Sequence, residues 1–255
     1  MPDHLGIDHT EARMALIMGT PERVPLLAAA FDRPVQLTER RGYLIYEAEV
    51  GGHKVLLLAT GIGGPSTAIA IEELVDLGVE LIIRVGTCGS LHSYIRPGDL
   101  VISSGAVRAE GTSKQYIDPS FPAIPDPLLL GRLLASASAH GIAYHLGITH
   151  CKDAYYLERP NRQLAPEAVA LQWGVWRNAH VLATEMEAAV LFVLGSIRAI
   201  STAALLINVG KIPDPHTATL EKIAIILNDV LPAFASGLPQ RKNPAATDEE
   251  RSFND

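Results

Sequence analysis

Short apolar runs alternate with helical patterns along most of the chain. Runs of this length, bounded by glycine, proline or polar residues, predict buried strands. These strands fall over residues 15–18, 43–50, 54–59, 81–85, 100–104, 147–150 and 202–208. The helical patterns predict helices over residues 21–30, 66–77, 127–140, 185–198 and 216–235, with Ser66 as the cap of the second.

Strands that alternate with helices predict an α/β fold. We expect a three-layer sandwich in which helices flank both faces of a mixed, mostly parallel central sheet. Neither an internal repeat nor a linker interrupts residues 1–235, so residues 1–238 are expected to form a single domain. Residues 239–255 are polar and contain proline, which predicts a disordered tail. In such folds ligands bind at the carboxyl ends of strands.

Composition narrows the classes of partner and location. The 255 residues carry a formal net charge of -7, which argues against nucleic acid or an anionic membrane as a partner. A small anionic substrate is compatible with this charge, because a local cluster of arginines can override the global sign. Two cysteines, Cys88 and Cys151, predict neither a disulfide framework nor a zinc site. The chain lacks a run of roughly 18 apolar residues and an apolar leader, so a cytoplasmic location is expected.

Two segments combine the end of a strand with an arginine. In Gly19-Thr20-Pro21-Glu22-Arg23 a helix begins after a glycine, and free helix amides with a guanidinium suit an anion. An ordinary turn with a surface arginine is the alternative. In Arg84-Val85-Gly86-Thr87-Cys88-Gly89 an arginine interrupts an apolar strand, and its buried charge needs a partner. That partner is either a bound anion or a core carboxylate.

Two further segments lie beside predicted helices. Thr60-Gly61-Ile62-Gly63-Gly64-Pro65-Ser66 is a candidate ligand loop, although a glycine-rich turn alone is a weak signal. Thr184-Glu185-Met186-Glu187 begins an apolar helix. Its acids either cap that helix or bind a ligand. A carboxylate suits two neighbouring sugar hydroxyls, because it is acceptor-only and can bind both donors at once.

In this order and spacing, the four segments resemble the nucleoside phosphorylase family, which includes uridine phosphorylase, the hexameric purine nucleoside phosphorylases and methylthioadenosine phosphorylase. The resemblance runs from His4 to about Ala235. The uridine phosphorylase branch matches best, through His4-Leu5-Gly6, the glycine-rich loop and Phe121-Pro122-Ala123. The resemblance implies phosphorolysis of a nucleoside to a free base and (deoxy)ribose 1-phosphate. It also implies dimers, often three to a hexamer, with active sites shared between subunits.

The resemblance assigns a phosphate site. Gly19, Arg23, Arg84 and Thr87 match its phosphate-binding positions, and Arg41 matches an arginine that a neighbouring subunit adds. Guanidiniums bind phosphate bidentately and hold it in line with the anomeric carbon. Arg23 and Arg84 are therefore expected to be catalytic.

Sugar and base contacts follow from the same resemblance. Glu187, the third expected catalytic residue, would hold the ribose 2′ and 3′ hydroxyls, with Met186 packed against the sugar and Glu185 beside it. His4 matches a histidine that reaches the ribose of the adjacent subunit. Tyr155 matches an aromatic residue that lines the base and sugar pocket.

Departures from the family pattern concentrate at the base end. Val209 follows the strand residue Asn208 where purine-specific relatives have an aspartate and uridine phosphorylases an arginine. Arg159 and Asn161 replace a glutamine and an arginine that recognise uracil. We keep Arg159, Asn161 and Asn208 as candidate base-binding residues, and a mobile polar lid is the alternative for the first two. A pyrimidine base is favoured over a purine.

Other departures concern ions and competing functions. Gly42 stands where uridine phosphorylase has a glutamate that helps to bind potassium between subunits, which puts that cation in doubt. We expect no metal and no cofactor, since phosphate is a substrate. Purine and methylthioadenosine phosphorylases stay open as alternatives. So do a nucleosidase of the same fold, disfavoured by the retained arginines, and a nucleoside-binding protein without catalysis.

Overall fold

The computed structural model describes residues 3–158, 160–210 and 217–237. The predicted tail over residues 239–255 lies outside this range, as does the predicted start of the last helix at His216. The one-domain boundary at residue 238 stays a prediction.

Nine strands and seven helices make up the described chain. The strands are β1 (Met14–Met18), β2 (Asp32–Arg40), β3 (Tyr43–Val50), β4 (His53–Ala59), β5 (Leu81–Ser90), β6 (Leu100–Arg108), β7 (Tyr144–Cys151), β8 (Ala183–Glu185) and β9 (Ser201–Asn208). The helices are α1 (Arg23–Ala28), α2 (Gly64–Asp76), α3 (Thr112–Tyr116), α4 (Pro127–Ala139), α5 (Pro166–Asn178), α6 (Ala188–Ile197) and α7 (Thr217–Ala235). Two short 3-10 turns, Tyr155–Glu158 and Pro160–Arg162, follow β7.

The nine strands form one mixed sheet. Their order is β2-β3-β4-β1-β5-β8-β7-β6-β9, and β5 also pairs with β9. The pairs β1–β4, β1–β5, β5–β9, β6–β7 and β7–β8 are parallel, and the other four are antiparallel. Because β5 contacts both β8 and β9, the strands β5, β8, β7, β6 and β9 close into a hydrogen-bonded ring. The predicted α/β class with a mixed sheet is confirmed, and the ring closure is a feature that no local pattern indicated.

Alternate residues of the central strands point to opposite faces of the sheet. Leu16 of β1 and Ile83 of β5 belong to one apolar cluster, together with residues of α1, α4 and α7. Ile17 and Ile82 belong to a second cluster with residues of α2 and α6. Both faces are therefore covered, which explains why these strands are continuous apolar runs.

The structure differs from the sequence prediction at several elements. The strand β2 was not predicted, because most of its side chains are exposed and it lacks an apolar run. The helices α3 and α5 were also missed, and every described residue of α5 has some exposure. Ser66 does not cap α2: that helix begins at Gly64, and the Ser66 hydroxyl lies near the carbonyls of Ile62 and Gly63. Glu185 ends a three-residue strand and does not open a helix.

Within residues 3–158, 160–210 and 217–237, no helix is both long enough and apolar enough to cross a bilayer.

Candidate active site

A cavity of about 260 Å³ opens where β1, β7, β8 and β9 end and along the last residues of β5. This position agrees with the rule that ligands bind at the carboxyl ends of strands. Eight of the predicted site residues line the cavity: Gly19, Arg23, Arg84, Thr87, Tyr155, Glu185, Met186 and Glu187. The chain segments that contribute them are far apart in sequence, so the sheet itself assembles the site.

Arg84 is the central charge of this cavity. Its side chain is only 3% exposed, its Nε donates to Glu185 Oε2 at 3.2 Å, and its Nη2 lies 2.5 Å from Glu187 Oε2. The guanidinium folds back over Gly86, where a Cβ would lie 2.5 Å from Arg84 Cζ. Glycine at this position is therefore what lets the arginine point into the cavity.

At the positive end of the cavity, the neighbouring carboxylates do not accept hydrogen bonds from all of the arginine nitrogens. Arg84 Nη1 is buried and has no hydrogen-bond partner among the described residues. Burial lowers the pKa of Arg23, and the positive charge of Arg84 lowers it further. Burial alone would also lower the pKa of Arg84, but Glu187 and Glu185 outweigh it and raise that pKa. Two neighbouring cations with an unsatisfied donor favour a bound anion.

The two glutamates of the Thr184-Glu185-Met186-Glu187 segment have different environments. Glu185 Oε2 accepts hydrogen bonds from the amides of Glu187 and Ala188, at 2.8 Å each, so Glu185 caps the start of α6 while it pairs with Arg84. Glu187 Oε1 accepts a hydrogen bond from the Gly63 amide at 2.5 Å. Glu185 therefore caps α6, and Glu187 stays the predicted ligand-binding acid of the pair.

The glycine-rich loop acts mainly through Glu187. Gly63 has a φ of 96°, a conformation that L side chains rarely adopt, and it turns its amide toward the carboxylate. Burial raises the pKa of Glu187; Arg84 opposes this rise and Glu185 adds to it. Ile62, from the same loop, lines the cavity.

The other end of the cavity is partly aromatic. Tyr155 is 53% exposed and packs edge-on against Tyr156, with ring centroids 5.3 Å apart. Val209, which follows β9, also lines the cavity. Aromatic and apolar side chains of this kind are suited to contact with a flat ring.

Four predicted residues do not line the cavity, and a fifth cannot be placed because it is not among the described residues. His4 bonds to Glu73, with its Nδ1 2.7 Å from Oε1, and Arg41 sits exposed in the β2–β3 turn. Asn161 is exposed on a 3-10 turn. Asn208 is buried, but it accepts from the Ser90 amide and donates to the Ile95 carbonyl, at 3.0 Å each. Arg159 lies outside the described residues.

Lys152 and Thr184 line the cavity but were not among the predicted site residues. Lys152 Nζ donates to Thr184 Oγ1 at 2.7 Å. A signal existed, because Lys152 directly follows β7, where a ligand is expected in this class of fold. Its neighbour Cys151 is buried, and burial raises the pKa of that thiol.

Comparisons with known proteins identify relatives over most of the chain. A family model described as the phosphorylase superfamily matches residues 13–230. A uridine phosphorylase of Treponema pallidum is 38% identical over 210 residues, which cover 82% of this chain and 81% of that relative. A uridine phosphorylase of Thermococcus kodakarensis is 40% identical over 189 residues, covering 73% and 68%. A guanosine phosphorylase of Halorubrum lacusprofundi is 36% identical over 203 residues, covering 79% and 80%.

The chain belongs to the phosphorylase superfamily, since the family model spans most of its length. The predicted family resemblance is thereby confirmed. The roles of the individual site residues stay predictions.

Proposed function

We propose that the protein cleaves uridine with inorganic phosphate, giving uracil and ribose 1-phosphate. Nucleoside phosphorolysis as the reaction class follows from the family and from the relatives named above. The observation that carries the proposal is the pair Arg84 and Arg23 at one end of the cavity, with a buried guanidinium nitrogen that lacks a protein partner among the described residues. A phosphate dianion satisfies both charges.

Phosphate would bind between β1 and β5. Gly19 and Thr87 offer backbone and hydroxyl donors there, beside the two arginines. Oriented guanidiniums hold one phosphate oxygen against the anomeric carbon, and fixed orientation lowers the entropic part of the barrier. As the sugar gains oxocarbenium-like charge, the adjacent dianion stabilises it.

Ribose would bind at Glu187. In the structure this carboxylate is paired with Arg84, 2.5 Å away, while the Gly63 amide holds its other oxygen. Phosphate arriving at Arg84 competes for the same guanidinium and frees one oxygen of Glu187 for the sugar hydroxyls. Phosphate and nucleoside therefore support each other's binding through one arginine.

A purine nucleoside is the second candidate, and one structural feature favours it. A neighbouring cleft, lined by Trp173 and Val169, shares Gly89 and Thr184 with the cavity. A base larger than uracil could extend across these shared residues. One relative is named guanosine phosphorylase, and guanosine is a purine nucleoside.

We also propose an assembly of two or more subunits, as a dimer or a trimer of dimers, that acts in the cytoplasm. His4 and Arg41 are away from their own cavity, which supports a role in the site of a neighbouring copy. No resident cofactor or metal is proposed, since phosphate itself supplies the nucleophile. The partners are a nucleoside and phosphate, with no nucleic acid and no membrane.

The test is base release from uridine, thymidine, inosine, guanosine, adenosine and methylthioadenosine, each with and without inorganic phosphate. We expect release from uridine that requires phosphate and yields ribose 1-phosphate. Release that is equally fast without phosphate would indicate a nucleosidase and contradict the proposal. Tight nucleoside binding with no release from any substrate would indicate a binding protein.

A further inference from the structure

Lys152 is a buried cation in the cavity wall that the phosphate and ribose sites do not use. It is 8% exposed, and its ammonium is held by Thr184 Oγ1 at 2.7 Å. Its own amide donates to the Glu185 carbonyl at 3.1 Å, which anchors the backbone at the end of β7 to β8. Nζ also lies 5.7 Å from the ring centroid of Trp173. The side chain is therefore fixed in direction.

The sheet order places Lys152 on the other side of β8 from the strand of Arg84. Arg23 follows β1 and Arg84 lies on β5, whereas Lys152 follows β7, with β8 between β5 and β7. Neighbouring strands lie about 4.8 Å apart, and β7 is two strand positions along the sheet from the strand of Arg84. In an in-line displacement the nucleophile and the leaving group occupy opposite sides of the reacting carbon. With phosphate at β1 and β5, the departing base lies toward β7.

We propose that Lys152 receives the departing base: its ammonium faces a carbonyl oxygen of the base, stabilises the negative charge that develops there, and selects oxo bases over amino bases. This inference rests on the proposed phosphorolysis. It assigns the base end of the cavity to a residue that the resemblance did not point to.

The bond changes show why a cation is useful at this position. An oxygen of hydrogen phosphate bonds to C1′ as the C1′–N1 bond of the nucleoside breaks. The electron pair of that bond stays on the base, where it is delocalised onto the carbonyl oxygens. The proton that finally neutralises the base is the one that hydrogen phosphate loses on becoming an ester, carried through solvent. Lys152 undergoes no net proton transfer, and its charge lowers the energy of the base anion.

The same chemistry gives selectivity. An ammonium donates hydrogen bonds and accepts none, so it matches a carbonyl oxygen and opposes an amino group. When an amino base binds against the buried wall, the hydrogen-bond donors of the lysine face the donors of the amino group, and this arrangement costs free energy of binding. Trp173 and Thr184 restrict the lysine, so it cannot turn away from the wrong base without losing both contacts.

The first experiment compares Lys152→Met with wild type on uridine and on 5-fluorouridine, whose base is the more acidic leaving group. We expect kcat on uridine to fall about a hundredfold and kcat on 5-fluorouridine to fall about tenfold or less, because a good leaving group needs less help. Lys114→Met, which removes an exposed lysine of α3, is the matched control and should leave both rates unchanged. Equal losses on the two nucleosides would overturn the proposal, since a structural role affects both alike.

The second experiment measures inhibition by free uracil and by free cytosine. Lys152→Met should weaken uracil inhibition at least tenfold and leave cytosine inhibition unchanged or stronger. An unchanged ratio of the two inhibition constants would overturn the selectivity part of the proposal. Thr184→Val keeps the lysine but removes its hydrogen bond, and should give a smaller loss with the same dependence on the leaving group. It serves as the test variant if Lys152→Met does not fold.

Different results would overturn the proposed phosphorolysis and the proposed role of Lys152. A wild-type protein without phosphate-dependent release overturns the proposed function and this inference together. A wild-type phosphorylase whose Lys152→Met variant keeps its rate on uridine, with inorganic phosphate binding unchanged by calorimetry, overturns this inference alone.

Discussion

The residues of the phosphate end and of the base end of the cavity lie on different kinds of secondary structure. Arg84 lies inside a ten-residue strand that is paired on both sides, and its guanidinium has three buried neighbours in Glu185, Glu187 and Gly86. Tyr155 is half-exposed and stands on a four-residue turn. Geometry that is fixed by the core tolerates little change, whereas a turn at the rim can vary. We therefore expect the rate of the reaction to depend mainly on the Arg84 end, and the choice of substrate to depend mainly on the Tyr155 end.

The largest effect is expected at the phosphate end, for Arg84→Ala. We expect kcat/KM to fall about a thousandfold, because the nucleophile loses its buried charge partner. The variant should also lose about 3–5 kcal/mol of unfolding free energy, since Glu185 and Glu187 are left buried and unpaired. Phosphorolysis assays with chemical denaturation measure the two losses separately. Arg198→Ala, at a surface ion pair with Glu72, is the control, and near-normal phosphorolysis by Arg84→Ala would refute the phosphate assignment.

Glu187→Gln tests whether the two ends are coupled through Arg84. Nucleoside binding should weaken by about tenfold to a hundredfold, because a charged acceptor of two hydroxyls is lost. Phosphate binding should stay equal or tighten, since the neutral amide no longer competes with phosphate for the arginine. Calorimetric titration with each ligand alone provides both constants. Equal weakening of the two ligands would count against the sugar role of Glu187.

The pH dependence of nucleoside binding follows from the environment of Glu187. Burial raises its pKa above the ordinary 4.5, so the carboxylate gains a proton at a higher pH than an exposed glutamate does. The charged form is the one that accepts both hydroxyls, so affinity should fall as the pH falls through this raised pKa. Titrating nucleoside without phosphate isolates the effect from phosphate ionisation. Glu187→Gln should lack this acid limb, and an identical limb in both proteins would assign it to another group.

Gly86→Ala should have a smaller effect that is confined to the phosphate end. The added Cβ would lie 2.5 Å from Arg84 Cζ and must displace the guanidinium. We expect kcat/KM for phosphate to fall roughly tenfold to a hundredfold, because small misplacements of a positioning group are costly. Gly131→Ala is a fair control, since a Cβ on that α4 glycine meets no atom within 4 Å among the described residues. An unchanged KM for phosphate in Gly86→Ala would show that phosphate binding does not depend on the position of the Arg84 guanidinium.

The smallest effect is expected for Asn161→Ala at the rim of the base end. Asn161 is exposed and is not part of the described cavity wall, so kcat/KM for uridine should change less than about threefold. A loss above tenfold would restore it as a base contact, through closure of the turn over the bound nucleoside. The matched comparison is Lys152→Met, which removes the charge that we propose for the base.

The sequence alone predicted more at the phosphate end than at the base end. The segment Arg84-Val85-Gly86-Thr87 can be interpreted from its own residues. An arginine in an apolar strand indicates a buried charge that needs an anionic partner. The order of the four motifs then indicated the family, which the family model and the relatives confirm. At the base end the prediction depends on a position-by-position match across a turn. It also assigns Asn208 to the base, although the oxygen and the nitrogen of its side-chain amide both bond to backbone groups.

The sequence by itself determined the buried strands, the class of fold, the family and the residues expected around phosphate. Each of these depends on short-range pattern, on hydrophobic runs and on motifs within a few residues of one another. Tertiary structure decided that Glu185 is the acid that caps α6, although both Glu185 and Glu187 line the cavity. It also closed β5 to β9 into a ring and brought Lys152 beside Thr184, 32 positions apart along the chain. The physical reason is that strand neighbours are chosen by the burial of the whole sheet, and no local segment contains that information.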